Sequence, residues 1–287
     1  MGKFRLRGRK KRRPSEKRDR VPLRSVVPNL ITSMAACAGI TSISLSSEGR
    51  WVHALTALLV ACLCDGIDGR VARLLKCSSK LGAELDSLAD FVNFGVAPAM
   101  FMYFWLTGGP DHLAVDSHLI RMVLGCSLFY AMCDCFRLAR FNTMLEQPTL
   151  PYWKNYFLGV PAPGGCWMVL SPAILSLALD AKGKSPAFAE FFQNPWFGMF
   201  MLIFVGALMA SRLPTISLKH LHVSKKALLP LMAMALFVVA LLVTNFWMMI
   251  GLAGLGYILT VPVTGLFFIK AKARHERMQS VPAPVQG

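Results

Sequence analysis

The chain has 287 residues, 55% hydrophobic and only 16% charged, with 31 lysines and arginines against 15 acids and a formal net charge of +16. So apolar a composition excludes an ordinary soluble domain and makes the bilayer the expected solvent. The basic excess follows from membrane topology, because loops rich in lysine and arginine stay cytoplasmic, and nucleic-acid binding is not needed to explain it.

In chain order the first element is a tail, residues 1–27, in which Lys3 to Arg24 hold 12 basic residues against Glu16 and Asp19. That density reads as a disordered cytoplasmic segment that either meets anionic head groups or only enforces topology. It does not read as a secretory signal, since the apolar run after it is too long and lacks a small-residue cleavage site.

A spanning helix needs roughly 20 mostly apolar residues, and eight segments qualify: 30–47, 51–75, 82–107, 117–140, 157–180, 196–211, 227–244 and 247–270. With both termini inside, 27 of the 31 basic residues fall on one side, leaving only Arg50, Arg121, Lys182 and Lys184 outside. The expected fold is therefore an all-α polytopic membrane protein of about eight transmembrane helices with both termini cytoplasmic. Its transmembrane domain covers 28–271, and a cytoplasmic tail follows over 272–287. Eight cysteines lie almost all within or beside apolar spans, so they read as reduced, packed thiols.

Acids in the spans are few and clustered: Asp65 and Asp68 late in the second, Glu84, Asp86 and Asp90 early in the third, Asp134 late in the fourth. One aspartate at a helix centre costs about 2.5–3.5 kcal/mol, so four ionised ones approach ~10 kcal/mol and call for a cation. At 100° per residue Asp65, Asp68, Gly69 and Ala72 share one stripe, as do Gly82, Asp86 and Asp90. A hairpin over about 75–81 turns the two stripes face to face. Hard oxygen donors of this kind suit magnesium or manganese, as two ions or as one ion with Arg73 supplying further positive charge. Gly66, Gly69, Ala72 and Gly82 leave room beside the acids for a ligand, or serve ordinary helix packing.

Asp65-Gly-Ile-Asp68-Gly69-Arg-Val-Ala72-Arg73, then Gly82, Asp86 and Asp90, resembles the signature of the CDP-alcohol phosphotransferases (CDP-alcohol phosphatidyltransferase class I) at all eight fixed positions. These are membrane enzymes that move a phosphoalcohol group from a cytidine-diphosphate donor to a hydroxyl. The resemblance implies that Asp65, Asp68 and Asp86 hold metal and that Asp90 adds to the metal site and acts as general base. It further implies donor contacts from Gly69, Arg73, Ser79 and Gly82, and a homodimer.

Three stretches are similar to the bacterial phosphatidylserine synthase branch: Pro28-Asn-Leu-Ile-Thr32, Phe94-Gly-Val-Ala-Pro98 and Phe136-Arg-Leu-Ala-Arg-Phe-Asn142, with Gly159-Val-Pro-Ala-Pro163 beyond them. The branch implies CDP-diacylglycerol and L-serine as substrates and a multi-pass enzyme of the inner, cytoplasmic membrane with its site facing the cytoplasm. Arg137, Arg140 and Asn142 become acceptor contacts. The arginines can fork a carboxylate, or instead anchor the interface or pair with Asp134. Asn29 and Thr32 either cap the first span or touch the donor. Asn93 stands where the branch has a small hydroxyl residue, and Ser78 departs mildly from its pattern, so another alcohol acceptor stays open. A cation transporter explains the acids but not the Ala-Arg and glycine spacing.

Overall fold

The computed structural model describes residues 26–77, 79–110, 116–144, 156–180, 186–211, 214–216 and 228–279. The basic tail before Val26, Ser78, Lys182, Lys184 and the last eight residues lie outside the described residues.

Ten α-helices and one π-helical turn account for nearly all of the described chain. They are α1 (Val26–Ser47), α2 (Trp51–Leu74), α3 (Lys80–Asp90), the π-turn (Phe91–Val96), α4 (Ala97–Leu106), α5 (Ser117–Met144), α6 (Ala162–Asp180), α7 (Pro186–Gln193), α8 (Pro195–Ala210), α9 (Leu228–Thr244) and α10 (Phe246–Gln279). Helix is present in every one of the eight apolar segments. Four helices, α1, α2, α5 and α6, are long and apolar enough to cross a bilayer; α8 and parts of α9 and α10 are shorter apolar helices. The α3–π–α4 series runs without interruption from Lys80 to Leu106.

One departure from the all-α expectation has a local cause. Residues 157–161, placed in the fifth span by hydropathy, are not helical: β1 (Tyr156–Leu158) pairs antiparallel with β2 (Pro214–Ile216), Phe157 opposite Thr215. Gly159 follows with φ +78° and so close to the Met209 and Ser211 carbonyls that a Cβ would lie about 3 Å from each. Only glycine fits there, and Pro161 then delays α6 to Ala162. At the other end, α10 continues through the polar residues after Lys270 to Gln279.

The core is built around α6. Met168, Val169, Leu170, Ala173 and Ile174 are fully buried, together with Phe101 and Met102 of α4, Val123 and Tyr130 of α5 and Leu202 and Val205 of α8. Large apolar side chains such as Leu30, Met34, Leu63, Leu128, Phe136, Phe200, Leu236 and Val243 point outward. An apolar exterior around an apolar interior is the pattern of helices solvated by lipid.

The first two helices are joined tightly. Gly49, at φ +73°, ends α1, and the Arg50 amide donates to Leu45 O at 2.9 Å, a left-handed helix cap. Helix α1 consequently runs antiparallel against α2 and contacts α3, the π-turn and α4, which places it over the acids.

Candidate active site

The reversal between α2 and α3 is local chemistry. The Cys77 amide donates to Ala72 O at 3.1 Å and the Lys76 amide to Arg73 O at 3.2 Å, with Lys76 in the left-handed region at φ 49°. Ser79 then starts α3 as its N-cap, its Oγ accepting from the Gly82 amide at 3.0 Å. The turn is short, so the acidic stripes meet. Carboxylate oxygens of Asp65, Asp68 and Asp86 all lie within 4.8 Å of one another. Oxygens sharing one magnesium ion stand up to about 4 Å apart, so the three groups are nearly where one ion gathers them.

Asp68 is the buried member, 3% exposed. Its Oδ2 accepts from Thr32 Oγ1 at 2.5 Å, while Oδ1 is buried with no hydrogen-bond partner among the described residues. Asp90 repeats the pattern: its side chain is within hydrogen-bonding reach of Asp65, and its Oδ1 is buried and unpartnered. Carboxylates facing each other with orphaned buried oxygens are destabilising as they stand. A hard divalent cation satisfies them, and the donor set fits one. Glu84 is exposed and stays outside the cluster.

An open cleft of about 510 Å³ lies alongside, lined by Pro28, Asn29 and Thr32 of α1, Asp68, Gly69 and Ala72 of α2, Cys77, and Ser79, Gly82, Ala83 and Asp86 around the start of α3. Of the expected donor contacts, Asn29, Thr32, Gly69, Ser79 and Gly82 therefore share one wall. No protein atom occupies the space where a Gly69 Cβ would point, whereas a Cβ on Gly82 would come 2.9 Å from Asn29 Oδ1. Gly82 is small to let α1 approach; Gly69 is small toward the open cleft. Arg73 is not part of the lining: its exposed side chain folds along α2, Nε donating to Gly69 O at 3.0 Å.

The capping alternative for Asn29 and Thr32 is not what the chain adopts. Val26, Val27 and Pro28 are already helical, so neither Asn29 nor Thr32 stands at the N-cap. Both residues are inside the helix and face the cleft, and Thr32 orients a metal-site carboxylate.

The residues expected to meet the acceptor separate. Arg137 pairs with Asp134, its Nε donating to Oδ1 at 3.2 Å, and it is among the charges that act on Asp90. Asn142 Nδ2 donates to Ser87 Oγ at 3.0 Å, tying α5 to the residue after Asp86. Arg140 points elsewhere. Its Nη1 donates to Ala210 O at 2.8 Å and its Nη2 to Ser211 O at 2.9 Å, so it caps the C-terminal carbonyls of α8.

Sequence reasoning missed the π-turn that begins immediately after Asp90. Pro98 has no amide to donate to Phe94 O and its ring crowds that carbonyl, so the helix widens, with the Ala97 amide reaching back five residues to Val92 O. Tyr130, fully buried on α5, supplies the missing donor, Oη to Phe94 O at 3.0 Å. A proline inside an apolar helix was the available signal. Asn93, within the turn, is fully buried against Gly39 with neither amide atom partnered among the described residues.

Residues 25–192 match the family model described as CDP-alcohol phosphatidyltransferase, a span that contains every residue of the cluster and cleft. The chain is 36% identical over 200 residues to a CDP-diacylglycerol–serine O-phosphatidyltransferase of Mycobacterium leprae, covering 69% of this chain and 59% of that protein. It is also 36% identical over 155 residues to one of Helicobacter pylori, 54% of this chain and 58% of that protein. A Bacillus subtilis protein of the same name is 33% identical over 148 residues, 50% of this chain and 75% of its own length. The match spans less than two thirds of the first two relatives.

Proposed function

The chain belongs to the CDP-alcohol phosphatidyltransferase family, and on that premise we propose that it transfers the phosphatidyl group of CDP-diacylglycerol to the hydroxyl of L-serine, giving phosphatidylserine and CMP. The observation that carries this reading is the meeting of Asp65, Asp68 and Asp86 beside a cleft lined by the other signature residues. The names of the relatives support serine as acceptor.

In this reading Asp65, Asp68, Asp86 and Asp90 hold magnesium or manganese, as two ions, since one divalent charge leaves four carboxylates underneutralised. Bound metal supplies charge neutralisation for the diphosphate and the departing CMP. The chain's own residues do the rest. Gly69, Gly82, Ser79, Asn29 and Thr32 shape the donor wall, and Arg73, whose Nε rests on Gly69 O, swings to the diphosphate. Asp90 takes the proton of the serine hydroxyl as its oxygen bonds to the phosphatidyl phosphorus. The bond from that phosphorus to the bridging oxygen breaks, and CMP leaves with the electron pair. Arg137 and Asn142, tied to the elements that carry Asp90 and Asp86, receive the polar acceptor.

The same reading takes the chain as eight-spanning, with both termini and the site on the cytoplasmic side of the inner membrane. The distribution of its basic residues supports that orientation. The lipid donor then enters sideways from the leaflet while serine and CMP exchange with the cytosol. A homodimer is kept from the family resemblance.

Detergent-solubilised protein given CDP-diacylglycerol, Mn2+ and a panel of serine, glycerol 3-phosphate and inositol phosphate is expected to release CMP with serine. Release with another alcohol and none with serine would reassign the acceptor. Arg140→Ala is expected to leave the serine KM unchanged and to lower the thermal midpoint by about 5 °C, because about 1.5–3 kcal/mol of charged hydrogen bonding to α8 is lost. A raised serine KM at an unchanged midpoint would return Arg140 to the acceptor site.

A further inference from the structure

Asp134 is completely buried and belongs to neither the acidic cluster nor the cleft. Among the described residues its side chain accepts one hydrogen bond, from Arg137 Nε, and the Arg137 side chain is 12% exposed. The pairing uses only Nε. Neither Nη group of Arg137 has an ion-pair or hydrogen-bond partner among the described residues, so both remain as an open fork, the geometry that grips a carboxylate.

The other oxygen of Asp134, Oδ2, is buried against the π-turn with no hydrogen-bond partner among the described residues, 2.8 Å from where a Cβ on Gly95 would stand. Four residues earlier on the same face of α5, Tyr130 donates to Phe94 O. Helix α5 thus grips successive residues of the turn whose first flank is Asp90. A shift of Asp134 would move Arg137 relative to Asp90, while the donor cleft, built by α1, α2 and α3, would be untouched.

We propose that Asp134 is a positioning residue for acceptor recognition: seated over Gly95, it holds Arg137 by Nε alone and presents the two Nη groups to the acceptor's carboxylate beside Asp90. The proposal rests on serine being the acceptor. A buried ion pair with only a structural role would instead act on folding, and through it on both substrates alike.

The test is steady-state kinetics on the full chain in detergent with Mn2+, varying serine and CDP-diacylglycerol separately. Asp134→Ala is expected to raise the serine KM about tenfold or more, the scale of a lost charge-assisted hydrogen bond, with the CDP-diacylglycerol KM within about twofold of wild type. Asp134→Asn keeps an oxygen for Nε and should recover most of the loss. Arg137→Lys should show the same serine defect, and combining it with Asp134→Ala should add little, because the two changes remove one interaction. If Asp134→Ala does not fold, Arg137→Lys and Gly95→Ala carry the test, the latter expected to raise the serine KM by displacing Oδ2. An unchanged serine KM in these variants, or equal rises in both KM values, overturns the positioning role. Wild-type protein that releases CMP with another alcohol but not with serine overturns the serine reading and this proposal with it, and is told apart because it fails before any variant is made.

Discussion

Asp90→Asn is expected to lower CMP release with serine by at least about a thousandfold, within the range general-base catalysis contributes, while CDP-diacylglycerol binding stays measurable. Asparagine matches aspartate in shape, so the junction of α3 and the π-turn keeps its geometry. What the amide cannot do is accept the hydroxyl proton. Asp90 is suited to that task because one oxygen is buried and unpartnered while the side chain sits against Asp65. The competing account is that Asp90 only ligates metal. Under it, activity of the variant would recover as Mn2+ is raised, because the defect would be in affinity. Turnover that stays low at saturating metal, with donor binding retained by isothermal titration, assigns the base; near-normal turnover removes the assignment.

The acids were legible in the sequence because their burial is costly and their spacing is helical, two properties that do not depend on the rest of the chain. The two stripes and the short hairpin implied that all four aspartates converge; the structure brings Asp65, Asp68 and Asp86 together, and Asp90 is not part of that group of three. The partners of the acids were harder to read. Thr32 stands 36 positions from Asp68, and nothing local distinguishes a threonine that orients a carboxylate from one that bonds its own helix. Arg137 pairs with Asp134 three residues before it, a contact the spacing offered, whereas Arg140 caps α8 about seventy residues away, which nothing local announces. Hydropathy likewise carried the fifth span through residues 157–161, where a glycine with positive φ and a strand pairing decide otherwise. Tertiary partners settled each of these, and one sequence does not display them.

Asp68→Asn should separate function from stability in opposite directions. As it stands Asp68 is a buried carboxylate with one oxygen held by Thr32 and the other facing no protein partner. Without metal such a group destabilises the fold, so in EDTA the asparagine variant is expected to melt at or above the wild-type temperature. With metal the order reverses. Wild-type protein at Mn2+ about a hundredfold above its Kd gains ~2.7 kcal/mol from binding, read as a rise in melting temperature that the variant should lose. Donor binding should fall with it, since the cleft wall beside Asp68 is where the diphosphate must meet the cation. Thr32→Val gives a graded version: the ligand remains but its orienting hydrogen bond is gone, and metal affinity should drop about 10–100-fold, the usual effect of losing a ligand's supporting partner. A variant Asp68→Asn with an intact Mn2+-induced shift would mean that the orphaned oxygen is not a metal ligand. A variant that melts lower in EDTA as well would mean that the Thr32–Asp68 hydrogen bond, rather than the buried charge, dominates the stability of this corner of the fold.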